Sequence, residues 1–202
     1  MNNYLILNGK QIDLTEEQVA EIKQSIGIGN ICLSEIGESE TFKIGKYEFI
    51  LLELSGDTAA VILKEPLYER KQFGENNNYD GSDMDKLCIE FGKEIETIVG
   101  KENLVEHTVD LTADDGLKCY GSIKRKMSLI TAQMYRKYVY TLDKYPVKSW
   151  WWLATAYSTK KHDDTSWIKC VSPSGDVNNY YFSSNDAVRP FCILKSNIFV
   201  SK

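Results

Sequence analysis

Three short apolar runs separated by polar turns occupy the last third of the chain. They are Trp150-Trp151-Trp152-Leu153-Ala154-Thr155, Cys170-Val171-Ser172-Pro173-Ser174-Gly175-Asp176-Val177 and Val188-Arg189-Pro190-Phe191-Cys192-Ile193-Leu194. Runs this short, rich in aromatic and β-branched side chains and bounded by turn residues, read as strands. The carboxy-terminal part is therefore expected to be a β-rich module with an aromatic core. Alternate side chains of a strand face opposite sides, so Trp151 points away from Trp150 and Trp152. At least one of those faces must be core, and any exposed remainder would serve as a contact surface.

At 202 residues the chain fits one large domain, or a domain with a small appendage. With 43% hydrophobic and 11% aromatic residues it has enough apolar surface for a core without disulfides or a structural metal. Net charge is −5, with acidic residues mixed among lysines, so direct nucleic-acid binding is not expected. No run approaches the ~18 apolar residues that span a bilayer. The start, Met1 to Lys10, lacks the basic and apolar stretches of a secretion signal. Cys32, Cys88, Cys119, Cys170 and Cys192 form no C-x-x-C pair, which points to free thiols in a reducing cytoplasm. Cys88 and Cys192 sit in apolar patterns and read as core residues.

Tyr4–Leu7 and Gln11–Leu14 flank Asn8-Gly9, a two-residue hairpin signal. Thr15 and Gln18 then form a capping box ahead of Val19, Ile22 and Ile26, and Gly27-Ile28-Gly29 ends the helix. Residues 1–29 are thus a hairpin-plus-helix appendage, too small to be stable alone, that must dock on the main body or on another chain. Residues 30–40 read as a polar connector. A meander follows over Thr41–Ile44, Tyr47–Leu54 and Thr58–Lys64, closed by Pro66. The polar loop 74–83 matches the opening of an EF-hand at Asn76, Asn78, Asp80 and Gly81. The match fails at Met84 and Leu87, where the later ligands belong. Ser82 with Asp85 instead caps a helix whose apolar stripe is Met84, Leu87, Cys88, Phe91, Ile95 and Ile98, ending at Gly100. Residues 105–128 read as irregular. Thr131 caps a second helix with Tyr135, Tyr138, Val139 and Leu142 on one face, stopped by Tyr145-Pro146.

A string of landmarks runs through Asp110-Leu111-Thr112, Asp115-Gly116, Tyr120-Gly121, Ser128-Leu129-Ile130-Thr131, Tyr135-Arg136, Trp151-Trp152-Leu153-Ala154-Thr155, Gly175, Val188-Arg189-Pro190 and Leu194-Lys195-Ser196. Over roughly residues 42–202 it resembles a family of uncharacterised bacterial and bacteriophage proteins with a "WWLAT…G…VRP" ending. Members of that family look like relatives of the C-type-lectin-like fold, which formylglycine-generating enzymes and phage receptor-binding proteins also use. The resemblance implies an α+β class: a C-type-lectin-like domain over residues 41–202 with antiparallel strands and two main helices, preceded by the appendage at 1–29. The family's turn is Gly-Val-Arg-Pro. Ala187 stands here in the glycine place, so the backbone there does not need a positive φ.

Cys170 and Cys192 lack the spacing of a copper-holding pair, and His107 and His162 are too few for an iron cluster. Cys119 with His107, or Asp110, Asp114 and Asp115, are the remaining catalytic candidates. The aspartates also suit turns, since their side chains accept backbone N–H bonds. Arg189 reads as an internal anchor whose fork bonds carbonyls or a carboxylate. No catalytic residue, cofactor or metal ligand is assigned on this reading.

The segments 157–166 and 178–186 flank the aromatic strands, where a lectin-like fold presents its ligand loops. Their Tyr, Ser and Asn content is that of adaptable protein-contacting loops. Tyr157, Lys160, Lys161, His162, Asn178, Asn179, Tyr180, Tyr181 and Phe182 are therefore the expected partner-binding residues. The resemblance and the lack of catalytic clusters imply a non-enzymatic binding module, phage- or prophage-encoded, acting on a host protein in the host cytoplasm, for example as an inhibitor of a defence system. A virion or tail accessory that recognises a surface ligand, oligomeric through residues 1–29, is one alternative. An enzyme using Cys119/His107 or the Asp110–Asp115 loop is the other.

Overall fold

The computed structural model describes residues 4–7, 10–25 and 31–202. The chain begins with β1 (Tyr4–Leu7), β2 (Lys10–Asp13), α1 (Glu16–Ser25), β3 (Ile31–Cys32), β4 (Thr41–Ile44), β5 (Tyr47–Ser55), β6 (Thr58–Leu63) and β7 (Tyr68–Lys71). It continues with α2 (Asp83–Val99), β8 (Leu104–Val105), β9 (His107–Asp110), β10 (Ser122–Arg125), β11 (Met127–Ser128) and α3 (Ala132–Leu142). The last third holds β12 (Trp151–Ala156), β13 (Trp167–Val171), β14 (Val177–Tyr181), β15 (Asp186–Val188), β16 (Phe191–Lys195) and β17 (Phe199–Val200). The class is mixed α+β, dominated by antiparallel sheets with three helices among the described residues.

β1 and β2 pair antiparallel with Leu7 opposite Lys10. The Asn8-Gly9 turn expected between them, and the helix end at Gly27-Ile28-Gly29, lie outside the described residues. The capping box forms as expected: Thr15 N donates to Gln18 Oε1 at 3.0 Å, and Gln18 N donates to Thr15 Oγ1 at 3.2 Å.

Two sheets make the main body. The first has the order β11-β16-β6-β5-β4, with β8 beside β16. The second runs β14-β13-β12-β15-β7, antiparallel except for the β12–β15 pair. β6 pairs with β16 in the first sheet, and β7 with β15 in the second. Since β6 leads into β7 and β15 into β16, the two strands cross from one sheet to the other side by side. At the crossing Leu63 N donates to Pro190 O at 2.9 Å, and Leu67 N to Val188 O at 2.8 Å. Arg189, 1% exposed, donates from Nε to the Leu63 carbonyl at 2.8 Å. It is the internal anchor expected from the sequence, and Ala187 keeps an ordinary negative φ.

Alternation along the strands feeds two cores. Phe49, Leu51, Val61 and Leu63 join Phe91 and Ile95 of α2 in one. Ile50, Leu52 and Ile62 join Tyr135, Tyr138 and Leu142 of α3 in the other. β12 divides in the same way, with Trp152 and Ala154 in the first core and Trp151 and Leu153 in the second. All six residues of β12 are buried, so both faces of this strand are core, and neither Trp151 nor Trp152 contributes a contact surface. A strand covered on both faces reads as a continuous apolar run rather than an alternating one. Trp152 Nε1 is satisfied by the Lys71 carbonyl at 2.8 Å.

Both predicted helices form. The Ser82 side chain accepts from Asp85 N, and that of Thr131 from Met134 N. Met84, Cys88, Phe91 and Ile95 are buried on α2, whereas Ile98 reaches the open end of the stripe and is 42% exposed. Two expectations are corrected. The residues 105–128, read as irregular, contain β9 and β10 as an antiparallel hairpin and β11 on the edge of the first sheet. Only His107 and Val109 of β9 are buried, so the apolar signal was too sparse to read. The connector 30–40 also contributes to the body: β3 pairs with β17, and Leu33 and Ile36 are 0% and 1% exposed.

Asp85 at the start of α2 is 1% exposed and grips Arg125 of β10 through two bonds, Nε–Oδ1 at 2.8 Å and Nη2–Oδ2 at 2.7 Å. Removing one partner of a buried pair leaves the other charge stranded. Arg125→Ala should lower the unfolding free energy by about 3–5 kcal/mol. Asp80→Asn, which removes only the half-exposed third member, should cost less than about 1 kcal/mol. Urea denaturation of the two variants checks both values.

Candidate functional site

Three loops converge beyond one end of the second sheet. The β12–β13 connection, residues 157–166, contains a short 3-10 turn at Lys160–His162 whose Lys161 amide donates to the Thr159 side chain. The loop 111–121 between β9 and β10 lies against it. Asp115 accepts from Ser158 Oγ at 2.5 Å and meets His162 Nδ1 at 3.0 Å, both through Oδ2. Thr159 Oγ1 donates to Cys119 Sγ at 3.4 Å. The third loop, 74–83, sends in the fully buried Asn77, whose amide donates to the Ser158 and Trp167 carbonyls and whose oxygen accepts from Tyr120 Oη at 2.6 Å.

That arrangement answers the calcium reading of loop 74–83. Asn76 Oδ1 and Asn78 Oδ1 accept from backbone amides two residues on, and Asp80 holds Arg125. The asparagine oxygens are spent on the loop itself and the Asp80 oxygen on β10. Among the described residues no group of three or more His, Cys, Asp or Glu side chains is disposed to hold a metal ion.

The electrostatics are layered. Lys169 of β13 is buried and pairs with Asp114 Oδ2 at 3.1 Å, while Arg136 of α3 reaches Asp114 Oδ1 at 3.0 Å. Burial alone would push the Asp114 carboxyl up, but the hydrogen bonds from Arg136 and Lys169 outweigh it and hold the group below its usual range. The Ser158 hydroxyl does the same for Asp115, against the opposing effect of burial, with the Leu117 amide and His162 adding to it. Asp110 is lowered by bonds from the Thr112 hydroxyl and amide. The aspartates of this loop are thus ionised acceptors that fix turns and neighbouring loops.

The thiol–imidazole pair weighed from the sequence does not come together. The hairpin register sets His107 opposite Arg125 and Asp110 opposite Ser122, so Cys119 lies in the loop beyond the far end of β9 from His107. His107 is buried with Nε2 on Ser128 Oγ at 2.9 Å and its ring edge-on to Phe191. Burial pulls it down to about 4, so the imidazole is neutral at physiological pH. His162 is the histidine that joins the loop cluster. Ser158 and His162 share one carboxylate oxygen, so the hydroxyl is bonded to the acid and not to the imidazole. A nucleophile–base–acid relay needs the reverse order. Burial pushes the Cys88 and Cys170 thiols up to about 12, which leaves them uncharged and unreactive.

Of the expected partner-binding residues, Tyr157, Lys160, Lys161 and His162 are exposed on the 3-10 turn and its approach. Asn178, Asn179, Tyr180 and Tyr181 lie on β14, the edge strand of the second sheet. The register puts Tyr181 opposite Trp167, and their rings meet edge-to-face at 5.7 Å, with Phe182 at 4.6 Å from Tyr181. Tyr157, Trp167 and Tyr181 are 43%, 42% and 41% exposed, an aromatic patch beside the lysines. Tyr180 points to the other face and packs edge-on to Trp150, so it supports rather than presents. Trp167 escaped the sequence reading because its exposure follows only from its cross-strand pairing.

Asp186, which ends the 178–186 segment, is 6% exposed and one carboxylate oxygen has no hydrogen-bond partner. Burial raises it from the usual 3.8 to about 6, with Arg70 opposing weakly. A folded value above the unfolded one means that Asp186 favours folding below pH 4 and loses that contribution as pH rises through 6. Asp186→Asn should therefore match the wild type in stability near pH 4 and exceed it above pH 6.5 by about 2–3 kcal/mol. Denaturant titrations across that range read the difference directly. No protein-family model, curated protein or solved structure matches this chain.

Proposed function

We propose that the chain is a non-enzymatic protein-binding module on a C-type-lectin-like scaffold, phage- or prophage-encoded and acting on a host protein in the cytoplasm, with inhibition of a defence system as one concrete form. The observation that carries the binding role is the exposed trio Tyr157, Trp167 and Tyr181, backed by Phe182 and bordered by Lys160, Lys161 and His162. Trp and Tyr dominate the energetics of protein interfaces because they bury much area for little lost rotamer freedom. The support beneath them is rigid: Asn77, Asp115 and Thr159 tie the three loops together, so little ordering entropy is lost on docking. Lys160 and Lys161 stand beside Asp163 and Asp164 on the same loop, so the rim offers both signs of charge to a partner.

The scaffold assignment rests on the sequence string ending in Trp151-Trp152-Leu153-Ala154-Thr155, Gly175 and Val188-Arg189-Pro190. Antiparallel sheets carrying α2 and α3 agree with it in class. Among the described residues no helix is long and apolar enough to cross a membrane.

The test is affinity capture from host lysate with the intact chain and with Trp167→Ala/Tyr181→Ala. A stoichiometric protein partner should be retained by the wild type and by Tyr140→Ala, a control on the exposed face of α3, and its affinity for the double variant should drop by about 100-fold. Failure to recover a stoichiometric partner, or equal binding by the double variant, would remove this reading.

A further inference from the structure

A second recess lies at the opposite end of the β13–β14 hairpin from the aromatic patch: Val171 and Val177 pair at its turn, Trp167 and Tyr181 at its far end. It is a cavity of about 180 Å³ between the end of α3 and the turn 172–175. Tyr135, Tyr145, Val147 and Trp151 are among its walls, Arg189 lines it from the core, and Asp143 stands at its edge.

Arg189 bridges the strands here, yet no carboxylate pairs with it directly. The guanidinium gives Nε to the Leu63 carbonyl at 2.8 Å and Nη2 to the Tyr145 carbonyl at a long 3.5 Å. Nη1 forms no hydrogen bond among the described residues, and no carboxylate among them lies within ion-pair distance of Arg189; Glu65 acts on its charge from farther away. Carbonyls satisfy N–H groups but do not neutralise a buried cation, whose desolvation costs several kcal/mol. The Trp151 ring, 5.4 Å from the guanidinium carbon, offers only a quadrupole.

Asp143 is the complementary anomaly. It caps the C-terminal end of α3, where the helix dipole is negative and a carboxylate is unfavourable. It is exposed, forms no ion pair among the described residues, and approaches the turn closely enough that a Cβ on Gly175 would lie 3.2 Å from its Oδ1. Tyr135, fixed by its bond to the Gly175 carbonyl at 2.6 Å, lies within the fields of Asp143, Asp176 and Arg189. The recess thus pairs a positive floor with a negative rim across apolar walls.

We propose that this cavity binds a small zwitterion, an α-amino acid with a short apolar side chain, its carboxylate on Arg189 and its ammonium at Asp143. A plain anion would gain Arg189 but face Asp143, and a plain cation the reverse; a ligand carrying both charges satisfies each. The volume is below the roughly 300 Å³ at which drug-sized ligand sites begin, which excludes nucleotides and oligosaccharides. Nη1 can give a carboxylate a charge-assisted hydrogen bond while Nε stays on the Leu63 carbonyl.

The test is calorimetric titration of the full chain with leucine, with 4-methylpentanoate, which lacks the ammonium, and with 3-methylbutylamine, which lacks the carboxylate. Leucine should bind saturably in the millimolar range or tighter, with either truncated analogue at least about tenfold weaker. Asp143→Asn, an exposed substitution at a position where the lost charge relieves α3, should weaken leucine about tenfold, leave 4-methylpentanoate no weaker and leave the thermal midpoint no lower. Absence of saturable binding by leucine and by valine, equal binding of leucine and 4-methylpentanoate, or an Asp143→Asn variant with unchanged leucine affinity would each overturn the proposal. None of these outcomes depends on the aromatic patch.

Discussion

The corner where β6–β7 and β15–β16 pass together from one sheet to the other governs the rest of the molecule. Two strands that turn in parallel keep their pairing through the bend, but a bend at that point interrupts the backbone ladder and leaves carbonyls to be satisfied. Arg189 supplies the donor, reaching the Leu63 carbonyl on one side and the Tyr145 carbonyl after α3 on the other. Pro190 contributes in the opposite sense, since it has no N–H to satisfy and its carbonyl accepts from Leu63. A lysine could not replace this arginine without loss, because a single ammonium lacks the planar fork that spans two carbonyls. The Val-Arg-Pro sequence is therefore an account of the corner in three residues.

With the corner fixed, the two sheets share their faces. Residues of odd and even number along β5, β6 and β12 enter different cores, so α2 and α3 are held on opposite sides by the same strands. This makes β12 the least tolerant segment of the chain. A polar substitution at Trp151, Trp152, Leu153 or Ala154 would enter one core or the other, whereas β14, at the sheet edge, keeps one side open to solvent. The contact surface belongs on the edge strand for the same reason that the tryptophans belong in the centre.

What could be read from the sequence was what is local. Ser82 and Thr131 cap their helices within three residues, the apolar stripes repeat within one helix, and the meander is closed by short turns. The elements that escaped depend on partners far along the chain. β3 is two residues long and exists because β17 lies beside it, about 170 positions later. β7 is exposed at all four positions and carries no apolar pattern; only its pairing with β15 makes it a strand. The loop cluster was half legible. Asp115 and His162 were each singled out, but the sequence suggested His107 as the active imidazole because it lies nearer to Cys119 in the chain. Hairpin register, which sequence distance does not convey, sets His107 at the other end.

Placement of charge separates the two surfaces argued above. At the loop cluster Lys169 and Arg136 pair with Asp114, while the Ser158 hydroxyl and His162 bond Asp115. These bonds stiffen the loops for a partner that docks on their aromatic outer face. Around α3's end the opposite holds. A buried cation and a carboxylate at the wrong end of a helix border one cavity, and neither forms an ion pair among the described residues. Tyr135 and Trp151, packed edge-to-face at 5.7 Å, form apolar walls of the same cavity. A fold that pairs its charges carefully in one loop cluster and separates them at the other end of the same hairpin has room there for a ligand that carries both signs.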